Sequence, residues 1–207
     1  MQNVRTEMVD VQDRLTQLGL TLAALQEAVQ QGYLARARLT SNHPRIFFGS
    51  SMWAETVAAL RDNLRSDGWV RSNEGNYELT VNRAEDLAVV VTTGDEATGV
   101  ATSNPTNKCP KGINTVDAIA VNNQLDMFGE LIPDPGENLG FTTWILLIHV
   151  GEDEVRSELS LPSNISSGKI KAWKERIILP ALPREDDIVE VRPPELPDID
   201  VPIKRKA

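Results

Sequence analysis

The run LAVVVTT at Leu87–Thr93 decides how this chain must fold. It is uncharged, almost wholly apolar or β-branched, and too short for an ordinary helix. A strand that can place apolar residues on both of its faces must be covered on both, so the run reads as a strand inside a layered sheet. Everything else is placed relative to it.

Downstream lies a polar loop from Thr92 to Gly112, followed by a helix that opens at Asn114 or Thr115. That helix runs to Phe128, ends at Gly129, and should turn Val116, Ala120 and Met127 to one side. A loop rich in Pro and Gly (Pro133, Pro135, Gly136, Gly140) then leads to three more strands. Phe141 to Val150 and Glu154 to Leu161 are joined by Gly151-Glu152-Asp153, and Ser163 to Gly168 turns the chain into a strand from Lys169 to Leu179. Upstream, Trp69 to Arg71 and Tyr77 to Val81 flank an Asn- and Gly-rich stretch suited to a hairpin turn. Before the hairpin comes a helix carrying Trp53, Val57, Leu60 and Leu64, with Ser51 as its N-cap and Gly68 as its stop.

At the N-terminus, Val4, Met8, Val11, Leu15, Leu18, Leu22, Leu25 and Val29 alternate steps of four and three residues. That is a heptad seam, and it predicts one long helix able to associate with another. Beyond Pro180 the chain is rich in proline and acid and has no period that could bury a face. The expected fold is therefore α+β: a coiled-coil-like helix over residues 1–40, then a mostly antiparallel sheet with two packed helices over 41–180. An extended tail over 181–207 completes it, with Ile188 to Val191 able to add a strand to a neighbour's edge and Pro193 to Pro197 suited to a partner's groove.

The charge is uneven. The whole chain carries −9, but residues 33–72 carry +3, between −2 before them and −10 after. The helix and hairpin in residues 36–81 are similar to the last helix and wing of a winged-helix domain. There Arg36, Arg38, Arg61, Arg65 and Arg71 form a candidate nucleic-acid face, since a guanidinium fork suits phosphate oxygens. A second candidate surface is the Thr92–Gly112 loop, where Asp95, Lys108 and Lys111 could hold a partner or, with the amides of the following helix, an anion.

Catalytic signatures are scarce. No Gly-x-Ser-x-Gly, phosphate-loop or dinucleotide glycine pattern occurs, and two histidines with one cysteine do not make a zinc site. Neither metal nor cofactor is expected, and Cys109 reads as incidental. A nuclease-like centre would have to draw on Glu158 with Lys169 and Lys171. One cysteine allows no internal disulfide, and the apolar runs are of strand length, so a cytoplasmic protein without a membrane role is expected. The leading expectation is a non-enzymatic interaction or regulatory protein. It would form a homo-oligomer through its N-terminal helix and take a protein partner. A nucleic-acid-binding regulator and a nuclease-like enzyme are the alternatives.

Overall fold

In a computed structural model, which describes residues 2–128 and 140–184, seven strands form one mixed sheet. They are β1 (Asn3–Arg5), β2 (Val70–Ser72), β3 (Leu79–Asn82), β4 (Leu87–Thr93), β5 (Thr142–Val150), β6 (Glu154–Ser166) and β7 (Lys169–Pro183). Four helices accompany them: α1 (Met8–Gln17), α2 (Leu22–Ala37), α3 (Arg45–Leu64) and α4 (Ile113–Phe128). The strand order is β1-β7-β6-β5-β4-β3-β2. Most neighbours are antiparallel, but β4 and β5 run parallel, as do β1 and β7.

The parallel β4–β5 pair explains the apolar run. Val89 and Val91 of β4, with Trp144, Leu146 and Ile148 of β5, face the core built by α1, α2 and α3. Val90, Ile145 and Leu147 face the other way, toward Ile119 of α4 and Ile170 and Trp173 of β7. The sheet is thus covered on both faces. On the α4 side the cover is shared with the long segment 94–112, which forms an ordered strap. Its peptide groups bond to strands: Gly94 N–H donates to Ile148 O at 2.9 Å and Lys108 N–H to Thr93 O at 2.8 Å. Asn107, 0% exposed, ties it to the β6–β7 turn, donating to Gly168 O at 2.8 Å and accepting from Ile170 N–H at 2.9 Å.

The single long helix predicted over residues 1–40 is replaced by β1, α1 and α2. Gly19 takes φ +64, and Leu20 N–H donates back to Leu15 O at 2.9 Å, a glycine-centred C-terminal cap. Thr21 then starts α2 by accepting a hydrogen bond from Ala24 N–H at 3.1 Å. The seam is consumed inside the chain: Val11, Leu15, Leu25 and Val29 are 0% exposed and Leu18 is 5% exposed in the main core. Leu22 packs beside them, Val4 pairs with Arg176 in the sheet, and only Met8, at 43%, remains exposed.

Other boundaries move as well. α3 begins at Arg45, before the expected Ser51 cap. The face of α4 turned inward carries Thr115, Ala118, Ile119 and Asn122, while Ala120 is exposed; Met127's side chain lies outside the described residues. The supposed wing is the β2–β3 edge of the large sheet, not a separate hairpin. Ala181–Pro183, expected in the tail, continue β7, and residues 185–207, including Ile188 to Val191 and Pro193 to Pro197, lie outside the described residues. No described helix is long and apolar enough to cross a membrane.

Candidate functional site

α2 and α3 cross at Gly32, where a Cβ would stand 2.0 Å from Thr56 Oγ1 and 2.7 Å from Met52 O. Only glycine permits this approach, and it sets the end of α2 against the beginning of α3. Arg36, one turn beyond Gly32, consequently lies over the Phe48 ring at 5.4 Å. Both helices reach the edge of the sheet where the parallel strands β4 and β5 end. The strap returns to the same place, its residue Lys111 fixed by an N–H bond to Gly168 O at 2.8 Å.

Between these elements opens a cleft of about 680 Å³. Arg36 reaches it from α2. Arg45, Ile46, Phe48, Met52 and Trp53 come from α3, Thr92 and Thr93 from β4, Ile148, His149 and Val150 from β5, and Lys108, Cys109 and Lys111 from the strap. Among the described residues no carboxylate lines it. Among the described residues, none of Arg36, Arg45, Lys108 and Lys111 forms an ion pair. Ile46, 79% exposed, and Trp53, 39% exposed, give the same cleft an apolar wall.

The electrostatics follow from that company. Burial lowers the pKa of Lys111, with the Cys109 thiol partly offsetting it. Burial and then the nearby Arg184 lower that of Arg36. His149 falls below its ordinary 6.5 through burial and the charges of Arg156 and Lys108, against the raising effects of the Gly94 backbone and Asp95. Each group is less ready to carry positive charge here than in water, and an anion in the cleft would reverse that bias.

The two surfaces expected from sequence are partly one. Arg36 of the proposed arginine face meets Lys108 and Lys111 of the proposed loop site. The rest disperse. Arg61 donates to Glu78 at 2.8 Å and to Leu79 O at 3.0 Å, holding α3 to β3. Arg65 bonds Asp62, while Arg38 and the β2 residue Arg71 are exposed away from the cleft lining. Asp95 is spent within the strap, accepting from Ala97 N–H and Thr106 N–H at 3.2 Å each. Residues at the start of α4 line a smaller neighbouring cavity, so the helix N-terminus at the cleft is that of α3. Sequence reading undervalued Arg45, hidden among other arginines, and His149, taken for the end of an apolar strand.

No family model matches the chain, and no curated protein or solved structure matches it either.

The nuclease-like arrangement is not assembled. Glu158 is 0% exposed, and its carboxylate accepts from Arg176, from Ser160 Oγ at 2.8 Å and from Gly99 N–H at 2.8 Å. Lys169 donates its ammonium to Asn107 O and Lys108 O. Among the described residues no group of three or more His, Cys, Asp or Glu could hold a metal ion.

Proposed function

We infer that this is a ligand-binding protein whose cleft, at the ends of β4 and β5, takes a small anionic molecule. One observation carries the reading. Four cationic side chains from three separate elements meet in a cleft that no carboxylate among the described residues lines, on a chain whose net charge is −9. Cations left unpaired together are unfavourable unless something negative joins them, and the surrounding acidic surface makes chance accumulation of positive charge here less natural. The volume is that of a small-molecule site, within the usual range of about 300–1,000 Å³. The apolar wall adds contact area for the rest of the ligand. The reading keeps the expected non-enzymatic, regulatory character and moves its site from the N-terminal seam to this cleft.

Sulfate tests it cleanly, because its charge is constant across neutral pH. Sulfate titrated at fixed ionic strength should bind wild-type protein. Lys111→Met and Arg36→Met should each weaken it about tenfold, as expected for one charged hydrogen bond of about 1.5 kcal/mol. Acidification should strengthen binding as His149 gains its proton, since an anion raises the pKa that burial has lowered. His149→Gln should flatten that slope. Unchanged affinity in both cation variants would exclude the cleft.

A further inference from the structure

The cleft does not end at Lys111. A second cavity of about 280 Å³ is lined by Trp53, Thr92 and Lys111, the same three residues that close the cleft, and continues to Tyr77, Asn114 and Ile145. Trp53 stands at the junction. Its indole N–H donates to Val91 O at 3.2 Å, which fixes the ring while leaving it 39% exposed. The chain's other tryptophans, Trp69, Trp144 and Trp173, are 2–3% exposed. At the far end, the buried Tyr77 hydroxyl makes no hydrogen bond of good geometry and has the Thr115 side chain as a weak polar neighbour. Buried hydroxyls are nearly always well bonded, so one held this weakly beside a cavity can exchange its neighbour for a ligand atom. Among the described residues the one carboxylate in this second cavity, Glu78, already accepts from Arg61 at 2.8 Å.

We propose that cleft and cavity are two ends of one elongated site, and that its ligand is a phosphate or carboxylate carried on a planar aromatic or heteroaromatic body. This rests on the anion-binding reading and adds the body to it. The anionic group sits among Arg36, Arg45, Lys108 and Lys111. The ring passes Lys111 and lies against Trp53, where stacking and cation–π contact both favour a flat π system over a flexible chain. An oxygen or nitrogen on the ring's far edge meets the Tyr77 hydroxyl. A plain alkyl chain would fill the same space and offer that hydroxyl nothing to bond.

Three probes separate the claims: inorganic phosphate, phenyl phosphate and a purine nucleoside monophosphate, each titrated by calorimetry with acrylamide quenching of Trp53 as a second signal. The ring-bearing esters should bind at least about tenfold more tightly than inorganic phosphate and shield Trp53 from acrylamide. Tyr77→Phe, which removes the weakly bonded hydroxyl and keeps the ring, should weaken the purine ester several-fold and leave phenyl phosphate and inorganic phosphate unchanged. Trp53→Leu should erase the advantage of both esters. Equal affinity for all three probes in wild type, with Trp53 still open to quenching, would overturn the elongated site while leaving the anion cleft standing. Absence of binding by all three, inorganic phosphate included, would overturn both.

Discussion

Glu158 and Arg176 are 0% and 1% exposed, side by side on the strap-facing side of β6 and β7. Arg176 donates to both carboxylate oxygens and to Val100 O and Ser103 O, so a single guanidinium ties two strands to the strap. The Gly99 backbone closes onto the same carboxylate, at a position with φ +76 where a Cβ would come within 2.9 Å of the Arg156 side chain. Removing one member leaves the other charge buried without its counter-charge. Arg176→Leu or Glu158→Leu alone should each cost about 3–5 kcal/mol, while the double replacement should cost less than either summed pair predicts. Urea denaturation of the three variants would measure the coupling, and additive losses would show that the pair does not act as a unit. Glu175 behaves differently. Burial pushes its carboxyl up, but the bonds from Arg14 and Arg5 outweigh this and hold it below the ordinary 4.5, binding β1 and α1 to β7.

The helices and strands were mostly readable from sequence where their signals are local. β4 is Leu87–Thr93 as the apolar run says, and the β2–β3 pairing follows from the alternation on either side of the Asn- and Gly-rich turn. The strands from Phe141 onward were legible too. Their ends were not, because Pro162 to Ser166 pair with Lys169 to Trp173, and Leu182 and Pro183 with Val155 and Glu154, through the length of the β6–β7 ladder rather than any pattern of their own. The heptad seam misled because Leu18 and Leu22 keep its spacing while one caps the end of α1 and the other opens α2. Gly19 and Thr21 were the contrary signal, a helix stop and a helix start two residues apart. Gly19→Ala should therefore lower stability by about 1 kcal/mol, since an L residue is strained at φ +64. Leu15→Glu should unfold the protein. If instead Leu15→Glu gave a folded monomer from an oligomeric parent, as judged by light scattering and circular dichroism, the seam would be an interface after all.

Taken as one body, the molecule is acidic with a positive recess, and the recess could not be read from sequence. Its residues lie at Arg36, Arg45, Lys108, Lys111 and His149, brought together by a helix crossing at Gly32 and by a parallel strand pair. Neither is a local pattern. An arginine-rich segment and a lysine-bearing loop were visible, but only the fold joins one member of each. The same geometry bears on nucleic acid. A duplex presents phosphates along a surface, and here Arg61 and Arg65 are paired with carboxylates, Arg38 and Arg71 are exposed singly, and Arg36, Arg45, Lys108 and Lys111 lie in a cleft. Duplex DNA should not bind measurably at physiological salt, and fluorescence anisotropy with a labelled duplex would check it. Affinity that falls steeply with salt and is lost in Arg61→Ala/Arg65→Ala would restore the nucleic-acid alternative.

β1 is three residues long, and its partner β7 lies about as far away as this chain allows: Arg5 and Glu175 are 170 positions apart. On a ribosome adding roughly 5–20 residues each second, the first strand waits on the order of ten seconds or longer for its neighbour to emerge. During that interval α1 has no sheet to lie on and Arg5 and Arg14 have no carboxylate to hold. β1 and α1 are thus made well before the strand that seats them, and a chaperone that meets this segment during synthesis will find Val11 and Leu15 still uncovered.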